Sequence, residues 1–411
     1  MKIAIVGTFI GQKTSGAEIS SLHLARNLSP QEEVFIITAK QTHLMPVRCH
    51  SLPLLKNIPN LVLLIGHPLL DKYMTTIIYD ILSREKPDLV HVQDASMLIA
   101  THQAAKKLAI PTLFTIRDYR FLCNLSVPLE QESLPFQYTK QDYKQWLSQT
   151  FQEAYNKPWL STIFLPFFYQ QNKRLVNSIK HLDHYITVSD YVREQVIRSG
   201  IAPENVTTIR VQKEEWDLSS VSNRKEKKKE NYTLFTAGGL KATKGFDYLL
   251  KSFRCVVDTF PQSQLRIAGD GSAKQKLLTL TKELNLEQNV TFLGQISHET
   301  MKQEYENAAF IISPSLWPEP LTRIIFEAFS MKKTIIATNV GGTRELVLPE
   351  HTGLLVPPRD EEAMAKAIFR LLQDKALTKR LSQNAYTVIT SECSAEQNYQ
   401  KHIELYQSIL T

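Results

Sequence analysis

The stretch "PSLWPEPLTRIIFEAFSMKKTIIATNVGGTRELVLPEHTGLLVPP", Pro314 to Pro358, passes from a proline-held turn into a helical pattern and then into two short apolar runs separated by a glycine pair. Pro318 and Pro320 keep the chain extended, so a helix is predicted from about Leu321 to Lys332, with the amides of Leu321 and Thr322 unpaired at its start. "TIIAT" and "GLLV" read as buried strands on either side of the Gly341–Gly342 turn. Strand, helix and strand in succession build a parallel sheet. Two glutamates interrupt this pattern: Glu319 lies in the Trp-Pro-Glu-Pro turn, and Glu327 follows eight residues later among Ile, Phe and Ala. A carboxylate on a helix otherwise fit for a hydrophobic core calls for a partner or a ligand.

The same alternation extends outward in both directions. Upstream lie "YTLFTAGG", "FDYLLKSFRCVVDTF", "SQLRIAGDG", "AKQKLLTLTKELNL", "VTFLGQ" and "AAFIISPS". A separate series begins at the first residue, with "KIAIVGT", "EISSLHLARNL", "EVFIITA", "PDLVHVQD", "PTLFTIRD" and "HYITVSD". The chain therefore reads as α/β, with two doubly wound parallel sheets, and its 411 residues exceed what one core fills. The expected boundaries are a first domain over 1–217 with a helical elaboration at about 125–182, a linker over 218–231, a second domain over 232–392, and a terminal helix over 393–411 that packs back on the first domain. The linker "LSSVSNRKEKKKEN" is charged and has no apolar period, which reads as solvated chain.

Composition narrows the function classes. With 43% hydrophobic and 22% charged residues the protein is of ordinary globular type, and a net charge of +7 permits anionic ligands or an anionic membrane surface without demanding nucleic acid. Cys49, Cys123, Cys255 and Cys393 are scattered without a C-x-x-C pair, so neither a disulfide framework nor a zinc site is expected. "MKIAIVGTF" has no signal-peptide form, and "LVLLIGHPLL" and "WLSTIFLPFF" fall short of a spanning helix. The expected location is cytoplasmic.

Glycine turns follow several strands and offer backbone amides to a phosphate. In "TSGAE" these are Gly16 and Ala17, a turn that reads equally well with no ligand. "GGLKATKG" contributes Gly239, Lys241 and Lys244, the last able to set an ammonium beside a leaving phosphate; "AGDG" contributes Gly269 and Gly271. No Walker A, D-x-D or H-E-x-x-H pattern occurs, so no metal is expected. Eight helical residues span about 12 Å, the order of the distance from the ribose to the hexose of a nucleotide sugar, although glutamates at this spacing also arise by chance.

The Pro-Ser strand end, the Glu-x7-Glu spacing of Glu319 and Glu327, the Gly-Gly-x-x-Glu turn and the Thr-Gly-Leu-Leu-Val strand, with "VTFLGQ" and the Lys244-Gly245 pair before them, closely resemble the second domain of the family-4 retaining glycosyltransferases, group 1. The resemblance is strong over about 233–372. In the first domain it rests on "SGAE", "PDLVHVQD", "TIRDYRFLC" and "HYITVSDYV". It implies the GT-B fold, two Rossmann-like domains facing a central cleft, and metal-independent transfer of a hexose from a UDP- or GDP-linked sugar to a glycan or lipid-linked acceptor. By resemblance Glu327 is the nucleotide-binding carboxylate, Glu319 the sugar-contacting one, and Lys244 the diphosphate lysine. Gly239 stands where the family often has an arginine, with Lys241 a substitute at a different reach. Arg117, followed by Asp118, stands where a His-Asp pair is common. "TTIRVQKEEW" lacks the usual Asn-Gly-Val-Asp. These departures keep open a non-catalytic binding or assembly subunit, a nucleotide-sugar epimerase and a sugar phosphorylase. "NKPWLSTIFLPFFYQQNKRLVNSIKHL" (156–182) reads either as a buried helix pair or as a surface for an anionic membrane or lipid-linked acceptor, which would place the protein at the inner face of the plasma membrane building a surface polysaccharide.

Overall fold

The computed structural model describes residues 1–8, 10, 16–39, 47–52, 68–119, 141, 144–145, 147–148, 151–152, 157–213, 216 and 232–411. Most of residues 125–156 in the helical elaboration expected over about 125–182, the 218–231 linker and the start of the "TSGAE" turn lie outside the described residues. The chain divides into two compact units. One is formed within Met1–Gln212 together with Ala395–Thr411, the other by Lys213–Ser394.

The first unit is built on a sheet ordered β3-β2-β1-β4-β5-β6-β7, all parallel. Its strands are β1 (Lys2–Gly7), β2 (Glu33–Thr38), β3 (Arg48–Ser51), β4 (Leu89–Val92), β5 (Thr112–Ile116), β6 (His184–Thr187) and β7 (Val206–Thr208). The central strands β4, β5 and β6 are buried at every position, the condition of a sheet covered on both faces. Among the described residues the helices that connect them are α1 (Gly16–Leu28), α2 (Pro68–Glu85), α3 (Leu98–Lys107), α4 (Leu160–Ile179) and α5 (Asp190–Arg198). α2 packs on α3, and α3 on α4.

The second sheet is ordered β10-β9-β8-β11-β12-β13, again all parallel. It comprises β8 (Thr233–Ala237), β9 (Gln264–Ala268), β10 (Val290–Gly294), β11 (Phe310–Ser313), β12 (Ile335–Thr338) and β13 (Gly353–Val356). Around it run α6 (Phe246–Thr259), α7 (Lys274–Glu283), α8 (His298–Asn307), α9 (Arg323–Ser330), α10 (Glu361–Gln373) and α11 (Lys375–Glu392). Leu249, Phe253, Ile267, Phe310 and Ile368 belong to its core and are fully buried.

α12 (Ala395–Leu410) belongs to the first unit. Its Tyr399, Ile403 and Tyr406 pack with Ile3, Ile5 and the α1 residues Leu24 and Leu28. His91 on β4 hydrogen-bonds Tyr406 through Nδ1 (2.7 Å) and Thr115 through Nε2 (2.6 Å), while His402 bonds the Asn398 carbonyl. Burial holds both imidazoles in the neutral form, pushing His402 down to about 4 and His91 well below its usual range. The boundary between units falls between Gln212 and Lys213, and Trp216 stacks on His298 of α8, ring centroids 4.2 Å apart.

Candidate functional site

Parallel sheets open a crevice where the strand order reverses, because adjacent connections there leave in opposite directions. In the second unit that point lies between β8 and β11, which pair directly. The turn after β8 runs through Gly238 and Gly239 to a short 3-10 helix, Ala242–Lys244, and Gly245 then caps α6. The turn after β11 carries Ser315 and Glu319. Backbone contacts stitch the two turns together. The Leu316 amide donates to the Thr243 carbonyl (2.9 Å), and Gly245 passes so close that a Cβ there would lie 2.0 Å from the Pro314 oxygen.

This brings together residues 75 apart in sequence: the Lys244 ammonium pairs with Oε1 of Glu319. Ser315 donates its hydroxyl to the same oxygen at 2.7 Å. The Glu319 side chain is only 8% exposed and the Lys244 side chain 29%, so the pair is carried at the edge of the interior with the ammonium on the solvent side. Behind it the glycine pair closes in. The Gly342 amide donates to the Glu319 carbonyl (2.8 Å), and Gly341, with φ +53°, leaves no room for a Cβ, which would lie 2.1 Å from that carbonyl oxygen.

Glu327 is the one half-exposed position in a run of buried residues from Ile324 to Ser330. Tyr305 of α8 donates its hydroxyl to Glu327 Oε2 at 2.6 Å, and Arg323 approaches the other oxygen at 3.7 Å. Tyr305 is fully buried, its ring edge-on to Phe235 (5.1 Å), and Trp216 packs beside it. The carboxylate is thereby held by a phenol and a guanidinium, not left on the surface.

Several expectations are corrected by this geometry. α9 begins at Arg323, with Thr322 extended (φ −82°, ψ 136°) as its cap, so Leu321 and Thr322 precede the helix and the first-turn amides start at Arg323. The helix also ends early. Lys332 adopts φ +55°, and the Lys332 and Lys333 amides bond back to Phe329 (3.0 Å) and Ala328 (2.9 Å), a left-handed C-terminal cap. Gly269 and Gly271 do not offer their amides to a ligand. The Gly269 amide donates to the Gly294 carbonyl (2.8 Å) and the Gly271 amide to Asp270 (2.8 Å). Both glycines serve close packing, since a Cβ would meet the Gly238 oxygen at 1.9 Å and the Leu240 oxygen at 2.5 Å. They support the β8 turn from beneath. Gly239 and Lys241 remain exposed on its outer side, and a Cβ on Gly239 would meet nothing within 4 Å.

In the first unit the reversal lies between β1 and β4. Gly16 and Ala17 are the first two residues of α1. Arg117 and Asp118 follow β5, both half-buried. The Arg117 guanidinium donates to the Gln93 carbonyl (3.0 Å) and to Gln93 Oε1 (2.7 Å), an oxygen that also accepts from Ser21 of α1. With His23 and His402, Arg117 lines a water-sized cavity of about 20 Å³. Its charge is thus engaged by the protein's own amides. Among the described residues no group of three or more His, Cys, Asp or Glu side chains is placed to hold a metal ion.

Ser315 and Tyr305 carry the site's two carboxylates; the sequence shows Ser315 only as part of the Pro-Ser strand end and gives neither residue a role. For Tyr305 a signal existed: it is an aromatic in "HETMKQEYEN", a helix otherwise almost wholly polar.

Two family models match the chain: glycosyl transferases group 1 over residues 219–388 and glycosyltransferase family 4 over residues 14–210. Among curated proteins, an uncharacterized glycosyltransferase of Methanocaldococcus jannaschii is 24% identical over 58% of this chain and 65% of its own length. The alpha-D-kanosaminyltransferase of Streptomyces kanamyceticus is 32% identical over 36% of this chain. The chain spans only 38% of that relative's length. Among solved structures, Anabaena HepE in complex with UDP and glucose superposes with a TM-score of 0.72 at 18% identity, covering 99% of this chain and 100% of that one.

Proposed function

Because the chain belongs to the group 1, family 4-type glycosyltransferases, we propose that it moves a hexose from a nucleotide-diphosphate sugar, with retention at the anomeric carbon and without a metal, to a glycan or lipid-linked acceptor. The observation that carries this reading is the buried Glu319 paired with Lys244 at the sheet's reversal point, beside the open Gly238–Lys241 turn.

In this reading the donor's ribose hydroxyls donate to Glu327, whose charge and orientation Tyr305 and Arg323 hold in place. The diphosphate lies against the turn after β8, where Lys244 meets the charge that builds up as the glycosidic bond breaks. The Glu319 carboxylate takes hydrogen bonds from the hexose. A departing phosphate oxygen accepts the proton of the incoming hydroxyl, so the site needs cations more than a protein base. Gly239 leaves one cation fewer than the family often has, and exposed Lys241 is placed to supply part of it. Asp118 belongs to the acceptor side, and Arg117, held on Gln93, serves there as scaffold.

The acceptor reading draws on α4. Trp159 (60% exposed), Ile163 (61%) and Phe164 (40%) project from its start, and exposed Lys173 and Lys180 follow. Among the described residues no helix is long and apolar enough to cross a membrane. An apolar edge followed by cations suits an anionic lipid surface, consistent with a lipid-linked acceptor in surface polysaccharide synthesis.

The deciding experiment is thermal stabilisation by a panel of UDP, GDP and ADP sugars, repeated with Glu327→Ala and Lys244→Ala. A shift with one base, lost in both variants, supports the donor site; product NMR of the anomeric proton, with and without chelator, then reads retention and metal dependence. No shift with any donor would sink the reading in favour of the non-catalytic subunit that Gly239 and the engaged Arg117 favour.

A further inference from the structure

We propose that Ser315 is a positioning residue of the donor site: its hydroxyl fixes the Glu319 carboxylate so that one oxygen holds Lys244 and the other is kept for the donor. The inference rests on the glycosyl-donor reading above.

A buried carboxylate must be satisfied, and how it is satisfied decides where its charge points. Here both partners, Ser315 Oγ and Lys244 Nζ, fall on Oε1, and Oε2 has no hydrogen bond among the described residues. A carboxylate held through one oxygen by an ammonium alone can turn about its last bond and exchange its oxygens, because a lysine head tracks either one. A second, rigid donor on the same oxygen removes that freedom.

Ser315 is rigid. It is 3% exposed, and the Thr338 hydroxyl donates to its carbonyl. The next amide, that of Leu316, is tied to Thr243 (2.9 Å) in the lysine's own turn. Ser315 Oγ lies 3.5 Å from the Thr243 carbonyl, too long to compete with the 2.7 Å bond to Glu319. Ser315, Glu319 and Lys244 therefore form one unit, anchored on β12 at one end and on the β8 turn at the other. The alternative role for the serine, filling space at a strand end, would leave Lys244 where it is.

The two roles separate in a comparison of nucleoside diphosphate with monophosphate, because only the diphosphate reaches Lys244. The measurement is calorimetric affinity of the full chain for both forms of the base that stabilises it. Ser315→Ala is expected to shrink the diphosphate-over-monophosphate preference about five- to tenfold, the size of one lost hydrogen bond, with monophosphate affinity unchanged. Ser315→Thr should retain the preference. In a Lys244→Met background, which has already lost it, Ser315→Ala should change little. An unchanged preference in Ser315→Ala, an equal loss for both nucleotides, or full additivity with Lys244→Met overturns the proposal and leaves the donor reading standing. Wild-type protein that binds neither nucleotide overturns both.

Discussion

The carboxylates at 319 and 327 were legible because each breaks a rule of its surroundings, one lying between prolines and one in an apolar helix. Their partners were not. Ser315 lies on the same turn as Glu319, whereas Lys244 and Tyr305 reach the two carboxylates only once β8 and β11 pair and α8 lays its tyrosine against α9, relations that no local period encodes. Tyr305 gives a direct test. Tyr305→Phe keeps the buried ring and removes one donor from a carboxylate that stays 19% exposed, so about 1 kcal/mol of stability is expected to go. Affinity for a nucleotide should fall severalfold while that for its 2′,3′-dideoxy analogue does not. Equal losses for the two would show that Glu327 does not meet the ribose. Gly239 gives the opposite sign. With open space around it and no positive φ, Gly239→Arg is expected to fold with an unchanged melting temperature and to bind the sugar nucleotide more tightly. A weaker-binding variant would place the diphosphate elsewhere.

Element boundaries failed where backbone conformation departs from what side-chain pattern encodes. The apolar periodicity of α9 continues to Met331, yet Lys332 turns left-handed and the helix stops, although a lysine there gives none of the warning a glycine would. Prolines 318 and 320 did forecast an extended lead-in, which runs on through Thr322 and shortens the helix from its start. The glycine turns divide in the same way. "AGDG" and "GGLKATKG" look alike as strings, but the first spends its amides on Gly294 and Asp270 and its carbonyls on the Gly238 and Leu240 amides of the second. The Gly341–Gly342 turn supports Glu319 by main chain alone, so Gly341→Ala should act on the site through the element. It is expected to cost on the order of 2 kcal/mol and to weaken sugar-nucleotide binding together with stability. Gly239→Ala, made in an open turn, is the control that should do neither; a harmless Gly341→Ala would mean that the turn does not hold Glu319.

At the scale of the whole chain, the alternation of short strands and helices made two parallel sheets readable from the first residue, because strands buried on both faces must be almost continuously apolar. What the alternation does not reveal is which groups hold the terminal helix, α12, in the core of the first unit. The signal is confined to buried polar groups: His402 and Tyr406 on α12 meet His91 on β4 and Thr115 on β5 only after folding. That arrangement makes the first unit acid-sensitive. Burial first, then the nearby Arg117 charge, lowers His402 from an ordinary 6.5 to about 4, so between those values the unfolded chain binds more protons than the folded one. Stability therefore rises with pH across this window and is lost as pH falls from 6.5 towards 4, by on the order of 3 kcal/mol for this group. Native-state hydrogen exchange would read it separately in each unit. β4 and β5 amides should lose protection between pH 6.5 and 4.5 relative to β11 and β12, and His402→Met should flatten that difference. Equal acid sensitivity of the two sheets, or an unchanged slope in the variant, would show that the imidazole is not what ties α12 to the first unit's pH response.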